Sequence, residues 1–114
     1  RDNLKKAQLY LLYSDKRLAM AQDLEKKGKT SLAISTLSKG EKYFLKIPEL
    51  LIQAKQQGTS PSAELIETIK VSNQKHKEVI GEMLQNIPQG SQEELNEVLK
   101  ITQSGEDQLQ GLQK

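Results

Sequence analysis

Cysteine and tryptophan are absent from this chain of 114 residues, and phenylalanine and histidine occur once each. Without cysteine there is no disulfide scaffold, no Cys-ligated zinc site and no thiol nucleophile. The compartment stays open, because an exported protein without disulfides has the same composition. Aromatic residues make up 4% and apolar residues 35%, a composition suited to elongated helices with thin shared cores. No apolar run approaches the roughly 20 residues that cross a bilayer, so no transmembrane segment is expected. Opening on Arg1 rather than Met, the sequence reads as a fragment or processed chain. Its length suits one domain, residues 1–114.

What is present is helical period. Leu4, Ala7, Leu11, Ser14, Leu18 and Ala21 recur at steps of three and four, which keeps one stripe on a single helix face, and Tyr10, Tyr13, Met20 and Leu24 widen it as a helix covered by two neighbours requires. Lys26 and Lys27 suit the negative end of that helix, and Gly28 can take the left-handed conformation that closes it. Thr30 or Ser31 is the expected cap of the next helix. Ala33, Leu37, Gly40, Phe44, Ile47, Leu51 and Ala54 carry the stripe on. So short a loop lays the two arms antiparallel, and folding between Gly28 and Lys29 pairs positions whose numbers sum to 57, so that Leu24 faces Ala33, Ala21 faces Thr36, Tyr13 faces Phe44 and Tyr10 faces Ile47. Pro48 removes a helical hydrogen bond and clashes one turn back, which predicts a kink near Phe44–Ile47 or a helix end with a restart at Pro48.

Two further breaks follow. Around Gly58, Ser60 is expected to cap and Pro61 to open a third helix bearing Leu65, Ile66, Ile69, Val79, Ile80, Met83, Leu84 and Ile87. Around Pro88 and Gly90, Ser91 with Glu94 has the spacing of a capping box. The fourth helix, with Leu95, Val98, Leu99, Thr102, Leu109 and Leu112, is the weakest, and Ser104–Asp107 is where it could stop. The expected fold is therefore all-α: an elongated antiparallel bundle, up-down-up-down, of three long helices and a weaker fourth. Its helices span 3–27, 31–57, 61–86 and 92–112, forming one hairpin over 3–57 and a second over 61–112.

The candidate functional residues fall on the first hairpin. Tyr10, Tyr13, Tyr43 and Phe44 are all the aromatic residues of the chain and fall at one level, with Gly40 beneath. Core packing accounts for such a layer, and a cleft that admits a small apolar or aromatic ligand is the functional alternative. Residues 1–58 carry twelve Lys/Arg against six Asp/Glu, a balance of +6, while residues 59–114 balance at −4. The two halves attract. Lys5, Lys6, Lys16, Arg17, Lys39, Lys42 and Lys46 also form a basic face for an acidic partner, an anionic wall polymer or, less expected, nucleic acid.

Catalytic and metal chemistry find no matching pattern. His76 has neither a second His or Cys to share a metal nor a triad spacing, and it is expected at the edge of the bundle, solvated or bonded to Asn73. Glu78, Glu82, Glu93, Glu94 and Glu97 read as solvated helix faces, and the Glu-x-x-His pattern of a di-metal bundle is missing. The chain reads as a non-enzyme with no cofactor and no metal site.

Lys16, Arg17, Leu18 and Ala21, then Lys27, Gly28 and Lys29, then Ala33, Glu41, Lys42 and Tyr43, together resemble an uncharacterised bacterial family of exported or membrane-anchored helical domains. The resemblance covers about residues 9–54. It implies export and a helical bundle at the cell surface, a binding or spacer module partnered by another protein or a surface component, and no established activity. Residues 17–44 are also similar to a tetratricopeptide unit through Ala21, Gly28, Ala33 and Ile34, though the arms here are longer and no second copy follows at 34-residue spacing.

Overall fold

Asp2 opens the first helix: its carboxylate accepts the Lys5 amide at 3.0 Å, satisfying one of the orphan donors of the first turn. In a computed structural model, which describes residues 2–112, α1 spans Asn3–Lys26, α2 Thr30–Leu45, α3 Ile47–Gln56, α4 Ala63–Asn86 and α5 Gln92–Gly111, with a short 3-10 turn at Gln89–Ser91. No strand occurs among the described residues. The second rod ends at Leu45 and restarts at Ile47, with Pro48 in the first turn of α3, where its missing N–H is not needed.

Both hairpin ends close on left-handed glycines, Gly28 at φ +77° and Gly58 at φ +90°. After α1 the Lys29 amide reaches Leu24 O at 2.9 Å and the Gly28 amide reaches Glu25 O at 2.9 Å. After α3 the Thr59 amide reaches Ala54 O at 2.8 Å and the Gly58 amide reaches Lys55 O at 3.0 Å. These pairs satisfy the last carbonyls of each helix in the same way.

Helix starts differ from the sequence expectation at three places. Lys29, not Thr30 or Ser31, precedes α2 and gives no side-chain cap. Ser62, not Ser60, caps α4 through a 3.0 Å bond from the Leu65 amide, which leaves Pro61 outside the helix. Ser91 ends the 3-10 turn with helical backbone angles and makes no cap bond, so no capping box forms with Glu94. A side chain caps only when its own residue is still extended, and the short 3-10 turn has already coiled Ser91.

The four rods form an elongated bundle of 47 × 23 × 18 Å. Its radius of gyration of 14.6 Å exceeds the roughly 13 Å typical of a compact domain this long. α1 packs antiparallel on α2 and α3, and α4 antiparallel on α5. Between the hairpins, α4 lies beside α1 and α5 beside α2, each pair parallel, with Asp15 against His76 and Glu41 against Thr102. The expected stripes are the buried ones: Ala7, Leu11, Ser14, Leu18 and Ala21 on α1, and Ala33, Leu37, Gly40, Phe44, Ile47, Leu51 and Ala54 along the second rod.

Two apolar clusters divide the length of the bundle. One gathers Leu18, Ala21, Ile34, Leu37, Ile80 and Leu95 toward the Gly28 turn. The other gathers Ala7, Leu11, Phe44, Ile47, Ile69 and Leu109 toward the opposite end. Helix α5 does not stop near Ser104: Gly105 is buried against the Phe44 ring, and Glu106 accepts from Lys77 at 2.9 Å and Gln74 at 2.6 Å. Tertiary packing overrides weak local propensity there.

Candidate functional site: a tyrosine–lysine face over a buried ionic layer

Between the two apolar clusters each rod contributes a buried polar side chain: Ser14 from α1, Glu41 from α2, Asn73 and His76 from α4, and Thr102 from α5. His76 does not sit at the bundle edge as expected. It is 0% exposed, because residues 69, 73, 76, 80 and 83 form one three-four stripe and the core claims all of it.

The His76 ring lies between two carboxylates, with Nδ1 2.5 Å from Glu41 Oε2 and Nε2 2.8 Å from Asp15 Oδ1. Two acceptors require two donors, so the ring is an imidazolium. Burial pulls its pKa down, but the hydrogen bonds and charges of Asp15 and Glu41 outweigh that and raise it to about 9. For Asp15, burial pushes upward and is outweighed by hydrogen bonds from His76 and Ser72, leaving its pKa lowered.

The carboxylates are tied from behind. Thr102 Oγ1 lies 2.6 Å from Glu41 Oε1 and 3.3 Å from Val98 O, so its single proton goes to the carboxylate. Ser72 Oγ donates to Asp15 Oδ1 at 2.6 Å, and Asn73 Nδ2 donates to Thr102 O at 3.3 Å. The Phe44 ring lies tilted against the His76 ring, their centroids 5.6 Å apart. This layer has no spare lone pair on His76 with which to take a substrate proton or bind a metal. Among the described residues no group of three or more His, Cys, Asp or Glu is placed to hold a metal ion.

On the outside of the first hairpin, the structure gathers three of the four aromatic residues. The ring centroids of Tyr10 and Tyr43 are 5.5 Å apart, those of Tyr13 and Tyr43 5.2 Å, and those of Tyr10 and Tyr13 6.3 Å. Arg17 lies over the Tyr43 ring and Lys46 over the Tyr10 ring, each at 5.9 Å, within range of cation–π attraction. Phe44 is not part of this cluster, since one residue's step along α2 turns it into the core. Gly40 is under α1 instead: a Cβ added there would stand 2.8 Å from Arg17 Cβ.

Lys5, Lys6, Lys16, Lys39, Lys42 and Lys46 are exposed and Arg17 is half-buried. Three of the hairpin's six acids are engaged elsewhere: Glu41 is buried, Asp15 faces His76, and Glu25 lines the groove between α1 and α4, while Asp2, Asp23 and Glu49 are exposed. The outward face is therefore more positive than the sequence balance alone indicates. Of the residues in the family-like pattern, Leu18, Ala21 and Ala33 are core, Gly28 is the turn, Glu41 holds His76, and Arg17 and Tyr43 meet on the outer face.

No family model matches the chain, and neither does any curated protein or solved structure with which it was compared.

Proposed function

We propose that the chain is a non-enzymatic helical interaction or spacer module of a bacterial exported protein, and that it engages an anionic partner through the outer face of its first hairpin. The observation that carries this reading is the tyrosine trio, with Arg17 and Lys46 set over two of its rings and Glu41 and Asp15 engaged with His76. Rings in mutual contact make a rigid platform, and the cations around it supply attraction at little cost in side-chain ordering. The resemblance over residues 9–54 supports export and a surface location. The buried ionic layer belongs to the scaffold: it fixes how α4 and α5 sit on α1 and α2, and so holds the face rigid.

Titration with poly-L-glutamate, followed by tyrosine ring signals in NMR, tests the reading. Binding should perturb Tyr10, Tyr13 and Tyr43, weaken steeply with added salt, and weaken on replacing Lys16 and Lys46 by Gln. Absence of binding at low salt, or perturbation confined to α4 and α5, overturns it.

A further inference from the structure

On α1 the side opposite the core carries Leu9, Leu12, Tyr13 and Met20. Leu9 is 43% exposed, Leu12 48% and Met20 53%. Leu9, Tyr13, Lys16 and Met20 follow one another at steps of four, three and four, so they form a single outward ridge. Lys5, Lys16 and Arg17 lie along it, and Lys39 and Lys46 stand on the neighbouring rod. The remaining acids on this helix's outward side are Asp2 at its start and Asp23, the latter paired with Lys27 at 3.1 Å. The ridge is uncovered: Leu9, Leu12, Tyr13 and Met20 are all exposed.

A ridge of this kind discriminates among anionic partners. An acidic helix or peptide is recognised by a groove that takes its apolar anchors, whereas Leu9, Tyr13 and Met20 project from one outward helix face as a ridge. A free polyanion makes no use of exposed leucine and methionine. A surface that is negative at its edge and apolar a few ångströms below matches both features: cations remain at the headgroups, tyrosines sit at the boundary, and the Leu and Met tips pass beneath. We infer that the outer face of the first hairpin docks on an anionic lipid bilayer, lying flat with α1 in the headgroup plane.

This rests on the anionic-partner reading above and names the partner. The long axis of 47 Å would then lie along the membrane, with α4 and α5 held away from it by the thickness of one hairpin.

Co-sedimentation of the full chain with vesicles of phosphatidylcholine alone, and with about 30% phosphatidylglycerol, tests it. Binding should appear only with the anionic vesicles and fall about five-fold for each of Lys16→Gln and Lys46→Gln. It should fall about ten-fold for Leu9→Ser with Met20→Ser, and be unchanged for Lys100→Gln on α5. Circular dichroism identifies any variant that has lost its fold, and Leu9→Ala with Met20→Ala then replaces the serine pair. No binding to anionic vesicles at low salt overturns the inference. Binding that ignores the Leu9/Met20 pair overturns it too, since the face then recognises charge alone, and so does self-association of the chain through this face. If poly-L-glutamate binds and vesicles do not, the anionic-partner reading stands and the lipid falls; if neither binds, both fall.

Discussion

His76 Nδ1 and Glu41 Oε2 lie 2.5 Å apart in the middle of the bundle, each side chain 1% exposed, joining α4 to α2 across its diagonal. Two ionised groups so far from water are stable only as a pair. His76→Ala should therefore destabilise by about 3–5 kcal/mol, since it leaves the buried Glu41 carboxylate without a counter-charge, whereas Glu41→Ala should cost less, because Asp15 still holds Nε2 of His76 and only the Nδ1–H loses its acceptor. The double variant Glu41→Met with His76→Leu should recover most of that loss. Urea unfolding of the three variants measures it, and a double variant as unstable as the worse single would mean that the layer's shape matters more than its charge.

Stability should depend on pH through the same ring. The folded pKa of about 9 stands above the ordinary 6.5, so the folded protein holds the proton more tightly than the unfolded chain. The contribution is complete below pH 6.5, diminishes above it, and is lost as pH rises through about 9. The shift corresponds to on the order of 3 kcal/mol. Asp15, with a lowered pKa, acts in the opposite direction: its contribution is present above its ordinary value of 3.8 and lost as pH falls through its lower folded value. Unfolding midpoints across pH, with the His76 ring signal followed by NMR, check both; a midpoint near 6.5 for that signal would contradict the two-carboxylate clamp.

Thr102 supplies the proton that holds Glu41 from the far side. Thr102→Val keeps the shape and removes that donor, and should cost about 1–3 kcal/mol because a buried carboxylate oxygen is left without a partner. Thr102→Ser should cost much less. Equal losses for Val and Ser in thermal unfolding would assign the effect to the methyl group.

Glycine substitutions should separate by position. Alanine at Gly40 brings a Cβ to 2.8 Å from Arg17 Cβ, an atom that cannot rotate away, so α1 and α2 must part. Overpacking of about 1–3 kcal/mol exceeds the roughly 1 kcal/mol of helix propensity gained, and the variant is destabilised. At Gly105 the nearest atom is Phe44 Cδ1 at 3.3 Å, and the two terms nearly cancel. Gly81 lies within α4 with nothing inside 4 Å, so Gly81→Ala should stabilise by about 0.5–1 kcal/mol. Unfolding free energies ranked Gly81→Ala above Gly105→Ala above Gly40→Ala meet the expectation.

The centres of the apolar stripes were legible, because helical period translates directly into a face, but the widening at Tyr13 and Met20 was not borne out, since both are exposed. The hairpin register was legible only in part: Gly40 does lie against Arg17, but Phe44, which the same count sets opposite Tyr13, turns into the core, and Tyr43 meets Tyr13 instead. The ionic layer was not foreseen, and His76 was expected at the edge. Ser72, Asn73 and His76 interrupt the stripe of α4, and position 76 lies in phase with Ile69 and Ile80; the phase points to burial, although the residue type suggests the edge. Glu41 carried no such signal, as it lies one residue off the expected stripe and reads like any exposed helical glutamate. The aromatic layer divided because sequence level along a rod says nothing of direction around it: Tyr43 and Phe44 are neighbours in the chain and look opposite ways.

The sequence by itself determined the local quantities: four helical rods, the glycines at which they turn, and the face each rod must hide. Those follow from interactions within a few residues along the chain. Only the tertiary structure decided which rods became neighbours, with α4 beside α1 and α5 beside α2, and therefore which polar residues on the stripes found partners. Asp15, Glu41, His76 and Thr102 come from four different rods. Whether a charge can stay buried depends on the groups brought to it from the rest of the chain, and local pattern contains no measure of that.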